Sequence, residues 1–472
     1  GAVDLISRAI KIDDTVPNFH LNLGNALKYQ GKLDGAIACY YHALRLSPDY
    51  FRAHNNLGVA LTQQGKLELA TRHLQAALRL SPAYPEAHLN LGKALQQQGR
   101  PDQAATHYRE AVRLKPNYVE AYINLGAAMR EMDDLDAAAA SLHSAIQLDS
   151  SSKEARWNLS LVLLRAGNLT QGWVEYDWRL GNNHPSLIDY SPCWWDGSDL
   201  NGKTILIRAE QGIGDEILFA GLFPEVIAAA GHCIIECETR LVSLFSRSFP
   251  AATVIPRTHP VHPRATQPDI HFQSPAGSLA RWLRPTLESF PAHAGYLVPD
   301  PARAALWKQR IQGLGQGPKI GICWRSMLRS ADRSMHYTRL SQWGPILSVP
   351  GVTFVNLQYD DCRAELAEAE QRFGVKIHAW EDIDLRNDLD DAAALTAGLD
   401  LVISPTTAVA ATAGALGIPV WELAPADDWA TLGTNGSPWY PSMRIFPRQW
   451  DEQWDPVIEA AAHQLRRQFS GA

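Results

Sequence analysis

Two rhythms of apolar and polar positions divide this chain. Through roughly the first third, apolar residues recur at helical spacing, and the segment Asn-Leu-Gly returns with Gly24, Gly58, Gly92 and Gly126 each 34 residues apart. Other positions keep the same step: Gly31, Gly65 and Gly99; Ala36, Ala70, Ala104 and Ala138; Ala43, Ala77, Ala111 and Ala145; Pro48, Pro82 and Pro116. From about Leu169 the period is lost, and short continuous apolar runs alternate with helical patterns. Runs at 204–208, 233–237, 319–324, 352–357, 375–378 and 399–404 predict buried strands, with helices over 338–348, 362–373 and 406–417.

The 34-residue step is that of tetratricopeptide repeats. Small residues at fixed places let two antiparallel helices approach closely, and Pro ends the second helix before the next repeat. A fifth repeat begins near Ser151, with Trp157, Asn158 and Leu159 in register and Ser160 in the place of Gly. Ala9 precedes Ala43 by 34 residues, so residues 1–16 read as the second helix of a cut repeat; more of the array is expected upstream, with Gly1 left by cloning. Asn22, Asn56, Asn90, Asn124 and Asn158 recur on the first helix of each repeat. A carboxamide donates and accepts together, so this ladder is a candidate grip on the backbone of an acceptor protein or peptide. The alternative is that these side chains satisfy local polar groups.

In the second half an aromatic-rich connector (Trp173, Tyr176, Trp178, Trp194, Trp195) leads into two series of strands and helices separated by a Pro-rich stretch, 250–302. Two parallel-sheet lobes with a ligand cleft between them are predicted. The boundaries read as a repeat superhelix over 1–168, a connector over 169–200, a first Rossmann-like lobe over 201–302, a second over 303–450, and a terminal helix over 451–472 that crosses back to the first lobe. Two strand-to-helix loops suit phosphate, because unpaired N–H groups and the helix dipole face the anion there. One is Gly212-Ile-Gly-Asp215; the other is Ser404-Pro-Thr406-Thr407, which opens a helix of small residues. A nicotinamide-binding G-x-G-x-x-G fits the first loop poorly, since its third Gly would be Ile217 and Asp215 would face the pyrophosphate. Asp215 suits a general base for an acceptor hydroxyl, with a helix N-cap as the competing role.

Four stretches carry a resemblance: Glu210-Gln-Gly-Ile-Gly-Asp215, Gly321-Ile-Cys-Trp-Arg-Ser326, Asn356-Leu-Gln-Tyr359, and Ala413-Gly-Ala-Leu-Gly-Ile-Pro-Val-Trp421. Together they look like bacterial tetratricopeptide glycosyltransferases, which are similar to protein O-GlcNAc transferases in layout and to heptosyltransferases in the first-lobe Gly-x-Gly-Asp. The resemblance implies a GT-B fold and metal-independent transfer of a sugar from a nucleoside-diphosphate sugar to a protein held by the repeats. It implies Asp215 as base and Arg325 as partner of the diphosphate. A leaving diphosphate builds negative charge that cations, hydroxyls and a helix N-terminus can stabilise, so Ser326, Thr406 and Thr407 join Gly212, Gly214 and Arg325 as donor-binding candidates. Arg329 and Arg333 are further candidates, with a solvated loop as the favoured alternative, and Gln358 and Tyr359 end a strand where they can meet the base or serve only in core or surface packing. The chain departs from the pattern at Pro405-Thr406-Thr407 and Ala410-Ala411, where many relatives carry Val-Asp-Thr and Ala-His; its threonine pair is similar to that of the eukaryotic O-GlcNAc enzymes.

Composition adds mainly exclusions. The 472 residues carry a net charge of −7 with both signs interspersed and no basic stripe, which argues against nucleic acid. No apolar run is long enough to span a bilayer, and a cytoplasmic protein is expected, with no cofactor beyond the donor substrate. The six cysteines are scattered as reduced thiols are; Cys233 and Cys237 read as core rather than zinc ligands, and Asp382-Ile-Asp384 as a solvated loop rather than a metal site. The competing readings are a non-catalytic repeat scaffold with a degenerate transferase domain and a nicotinamide enzyme fused to repeats.

Overall fold

The computed structural model describes residues 1–181, 193–210, 212–327 and 337–469, and the chain divides into two units, Gly1–Leu159 and Ser160–Ala472. In the first unit, helix Ala2–Ile12 precedes four antiparallel pairs: Pro17–Tyr29 with Leu33–Leu46, Phe51–Gln63 with Leu67–Leu80, Pro85–Gln97 with Pro101–Leu114, and Val119–Glu131 with Leu135–Leu148. Helix Lys153–Arg165 then carries the chain toward the second unit. The tetratricopeptide pattern is explained by packing. The eight alanines of the two in-phase sets are fully buried. A Cβ on Gly24, Gly58, Gly92 or Gly126 would fall 2.4–2.6 Å from Tyr40, Leu74, Tyr108 or Leu142 of the partner helix, so only Gly permits this crossing. Gly31, Gly65 and Gly99 turn the chain between paired helices at φ of +72 to +73°; Asp133 takes the equivalent turn at +59°.

The second unit contains two parallel sheets. The first joins β1 (Cys193–Trp194), β2 (Thr204–Arg208), β3 (His232–Cys237), β4 (Thr253–Pro256) and β5 (Phe272–Pro275) in the order β1-β5-β2-β3-β4. The second joins β6 (Lys319–Ile322), β7 (Thr353–Asn356), β8 (Ile377–His378), β9 (Leu401–Pro405), β10 (Val420–Pro425) and β11 (Met443–Arg448) in the order β11-β10-β9-β6-β7-β8. Counted from β6, the second is the 3-2-1-4-5-6 order of doubly wound nucleotide-binding sheets, with its switch point between β6 and β9. Strands β2, β6 and β9 are buried at every residue, which is why they are mainly apolar and show no alternation, with Arg208, Lys319 and Ser404 as buried polar exceptions.

Two sequence expectations are corrected. The Pro-rich stretch 250–302 is no mere separator, because it supplies β4 and β5; each has four residues and ends on Pro256 or Pro275, too short for a period to show and with Pro where a strand tolerates it. The closing helix, Trp454–Phe469, does not cross back to the first lobe. Its Trp454, Val457, Ile458, Ala461, Ala462 and Leu465 belong to the core of the second sheet with Ile322, Leu401 and Leu423. The aromatic connector does join the two sheets: Trp173 meets Tyr176, Trp429 and Trp439 edge to face, Phe219 packs on Trp429 and Trp439, and the Trp173 indole donates to the Arg284 carbonyl at 2.8 Å.

Candidate functional site

Chain leaving β2 turns at Gly212, which caps the N-terminus of helix Ile213–Ala220 in extended conformation (φ −136°, ψ 151°). Asp215 is therefore the third helical residue and not the N-cap, which corrects that alternative; its Oδ2 would lie 3.2 Å from a Cβ built on Gly212, so the carboxylate folds back over the loop. Glu210, just before the loop, is held at both ends. Its buried carboxylate accepts from Arg179 (2.5 Å) and from the Gly277 N–H (2.7 Å), and its carbonyl accepts from Arg257 (2.7 Å).

Chain leaving β9 opens helix Ala408–Ala415 with Thr407 at the N-cap. The Thr407 hydroxyl bonds Ser404 Oγ at 2.9 Å, and neither Thr407 nor Gly212 caps its helix with its own side chain. A helix N-terminus of this kind presents N–H groups that its own N-cap side chain does not satisfy. The two helices abut: a Cβ on Gly214 would meet the Ala408 backbone at 3.7 Å. Both open onto a cavity of about 660 Å³ between the two sheets, lined by Gly212, Gly214, Asp215, Ser326, Tyr359, Thr406 and Thr407 among others. Ser326 accepts from the Tyr359 hydroxyl at 3.3 Å.

Arg325 and Gln358 are not brought to this cavity. Gln358, 2% exposed, ties two strand ends together: its Oε1 accepts from the Trp324 and Arg325 N–H groups (both 3.2 Å), while its Nε2 donates to the Arg325 carbonyl (3.0 Å) and Asp360 (2.9 Å). The Arg325 guanidinium donates to Asp360 at 3.1 and 3.3 Å and to Glu365. Arg329 and Arg333 lie outside the described residues.

The carboxyls Glu216, Glu422 and Asp428 line the same cavity and were missed from the sequence. Glu216 accepts from the Glu238 N–H at 2.8 Å; burial pushes its carboxyl up to about 8, against the pull of that bond and of Arg257. Glu422 projects from β10 beside Asp428, which accepts from the Ala430 N–H (2.9 Å) and the Thr406 hydroxyl (3.4 Å). Burial raises both carboxyls, and Asp428 raises Glu422 further. The available signal was a glutamate inside each apolar run, Ile-Gly-Asp-Glu-Ile-Leu-Phe and Val-Trp-Glu-Leu-Ala. Arg240, Arg257 and Arg386 are the arginines on the lining among the described residues.

In the repeats, the Asn ladder has local partners. Asn56 donates to Asn25 Oδ1 (2.8 Å) and Asn90 to Asn55 Oδ1 (2.9 Å), linking neighbouring repeats, whereas Asn124 and Asn158 donate to the Glu120 and Glu154 carbonyls one turn back (2.7 and 2.9 Å). Asn22 is exposed. A second ladder went unnoticed: His54 and His73 face each other through Nδ1 at 3.0 Å, and His88 and His107 at 3.1 Å. Each first partner donates Nε2–H to a Pro carbonyl, Pro48 or Pro82. Asp382 is held by Arg310 (2.9 Å), and Asp384 accepts from the Arg386 and Asn387 N–H groups. Among the described residues no three His, Cys, Asp or Glu gather as a metal site, and no helix is long and apolar enough to cross a membrane. Cys233 and Cys237 are buried free thiols, and burial pushes Cys233 up to about 12.

Comparison with known proteins places the repeats firmly. Residues 24–65, 60–99 and 97–133 match a TPR repeat model, and residues 123–172 a second tetratricopeptide repeat model. Among solved structures, the chain is similar to YrrB, a TPR protein with an unusual peptide-binding site (22% identity, 39% of this chain, 95% of that one, TM-score 0.34), and to pilF of Pseudomonas aeruginosa (17% identity, 46% and 86%, TM-score 0.36). A curated relative, Protein FlbA of Caulobacter vibrioides, is 39% identical over an alignment of 325 residues that covers 65% of this chain. The chain spans about half the length, 54%, of that relative. An α-solenoid of tetratricopeptide repeats followed by an α/β region of parallel sheets is thus the class of protein defined here.

Proposed function

We propose that the second unit is a GT-B-type glycosyltransferase moving a sugar from a nucleoside-diphosphate sugar to a protein side chain, with the repeats as the protein-binding element. One observation carries this reading. Two helices of eight residues, from different sheets and neither capped by the side chain of its N-cap residue, open onto one cavity that also holds Asp215. Two helix N-termini at one cavity can stabilise an anion as it leaves, while a carboxylate at the same cavity can accept the proton of an attacking hydroxyl. Placement at the carboxyl ends of β2 and β9 agrees with where open α/β sheets take nucleotides. Within the proposal Thr406, Thr407, Ser326, Gly212 and Gly214 contact the diphosphate, and Tyr359 lies toward the base.

The test is a thermal-shift series of UDP-, GDP- and CMP-sugars against the whole chain, repeated with Asp215→Asn. A nucleotide sugar that raises the melting temperature equally in both proteins, with transfer to protein lost in the variant, supports the reading. Full transfer by Asp215→Asn removes the assigned base. A flat response to every nucleotide favours the repeat scaffold with a degenerate second unit. That reading has its own support in Arg325, whose charge is already matched by Asp360 and Glu365.

A further inference from the structure

The cavity has one wall that nucleotide binding at the helix termini leaves unexplained. Glu422 is 6% exposed and lines the cavity. Among the described residues its one nearby donor is the Thr406 hydroxyl, whose single proton is also within reach of Asp428 at 3.4 Å. Asp428 has the Ala430 N–H as well, so Glu422 is the less well served of the two. A buried carboxyl that shares one donor is costly to keep unless a ligand supplies another. β10 pairs with β9 so that Glu422 stands opposite Ser404, one strand from the loop that opens helix Ala408–Ala415. A group attached to a phosphate at that helix start would lie within its reach. The adjoining lining mixes hydroxyl and aromatic side chains, Thr431, Ser437, Trp429 and Tyr440, a composition suited to a ring with polar edges and apolar faces.

Resting on the glycosyltransferase reading, we propose that Glu422 and Asp428 form the subsite for the transferred sugar and accept hydrogen bonds from its hydroxyl or acetamido groups. Burial favours the protonated form of Glu422, so the pair can donate as well as accept and sets less than two full charges beside the phosphate. Neither residue exchanges a proton with the reacting atoms; their effect is on which sugar binds.

Binding of UDP, GDP, UDP-N-acetylglucosamine and GDP-mannose to the full chain is measured by calorimetry for the wild type, Glu422→Gln and Asp428→Asn. For whichever base binds, nucleotide-sugar affinity itself falls by about tenfold in each variant and the ratio of nucleotide to nucleotide-sugar affinity shifts with it, while affinity for the free nucleotide holds or rises as negative charge beside the phosphate is removed. Both substitutions are isosteric and remove a buried carboxyl from a repelling pair, so a melting temperature at or above the wild-type value confirms that the variants fold. An unchanged ratio in both variants overturns the sugar assignment and leaves the glycosyltransferase reading standing. A wild type that binds none of the four probes and responds to no nucleotide in the thermal-shift series overturns that reading, and this assignment with it.

Discussion

Glu216 offers the sharpest check on the electrostatics of the cavity. The residue is 3% exposed, one carboxyl oxygen accepts from the Glu238 N–H, and the other has no hydrogen-bond partner among the described residues, with Arg257 at 3.8 Å. Burial moves it from the ordinary 4.5 to about 8. In that interval the folded protein binds a proton that the unfolded chain has released, so stability is full below 4.5 and falls as pH rises toward 8. Each pH unit costs at most ~1.4 kcal/mol, which bounds the whole interval at ~5 kcal/mol; water entry and relaxation reduce this to roughly 2–3 kcal/mol. Glu216→Gln mimics the protonated carboxyl and removes the penalty. For a unit of this size, unfolding entropy of ~2.1 cal/mol/K per residue converts 1 kcal/mol into about 1.5 °C, so the variant melts about 3–5 °C above wild type near pH 9 and level with it near pH 5. Tryptophan fluorescence is the assay, because Trp157 is the only one of the 15 tryptophans that precedes the second unit. Other titrations cancel in the difference between the two proteins. A difference that does not change with pH, or a variant less stable near pH 9, refutes the assignment of a buried, protonated Glu216.

Three further outcomes follow from the packing. Gly92→Ala gains ~1 kcal/mol of helix propensity but places a methyl 2.4 Å from the Tyr108 ring, which is fully buried and anchored to Gln96 at 2.8 Å. A net loss of about 1–2 kcal/mol is expected in the far-ultraviolet dichroism transition not seen by tryptophan; unchanged melting refutes the contact. In the histidine ladder, burial and then the partner ring hold His73 and His107 below the ordinary 6.5. Stability from these groups is therefore complete above 6.5 and lost as pH falls below it, and the double variant His73→Gln/His107→Gln flattens the pH dependence of that same transition. Arg325→Ala removes the cation between Asp360 and Glu365, leaving Asp360 with the Gln358 amide, and lowers the tryptophan-detected melting point by the equivalent of roughly 1–3 kcal/mol, and adding Glu365→Gln restores part of it. Loss of activity in Arg325→Ala alone is for this reason no evidence of a diphosphate contact.

What was legible in the sequence is what a local rule enforces. The glycine at each helix crossing must lack a Cβ whatever else changes, so the period survives and the repeats are read at once. A buried strand turning sharply into a helix needs small residues at the turn, so Gly212 to Asp215 and Ser404 to Thr407 were also found. Arg325 failed because its fate is decided by carboxylates 35 and 40 positions away that have no visible spacing to it. The final helix failed in a related way. Its apolar stripe states that it packs, and only the exposed face of the second sheet, absent from any one segment, decides where. Glu422 was the more instructive miss. A glutamate inside a buried strand contradicts its surroundings, and such a contradiction persists at a cost unless a ligand resolves it. A charged residue that breaks an apolar run points to a binding wall only where no partner of opposite charge accounts for it: Arg208 and Glu236 interrupt β2 and β3 but pair with each other at 3.6 Å, whereas Glu422 has another carboxyl, Asp428, for a neighbour.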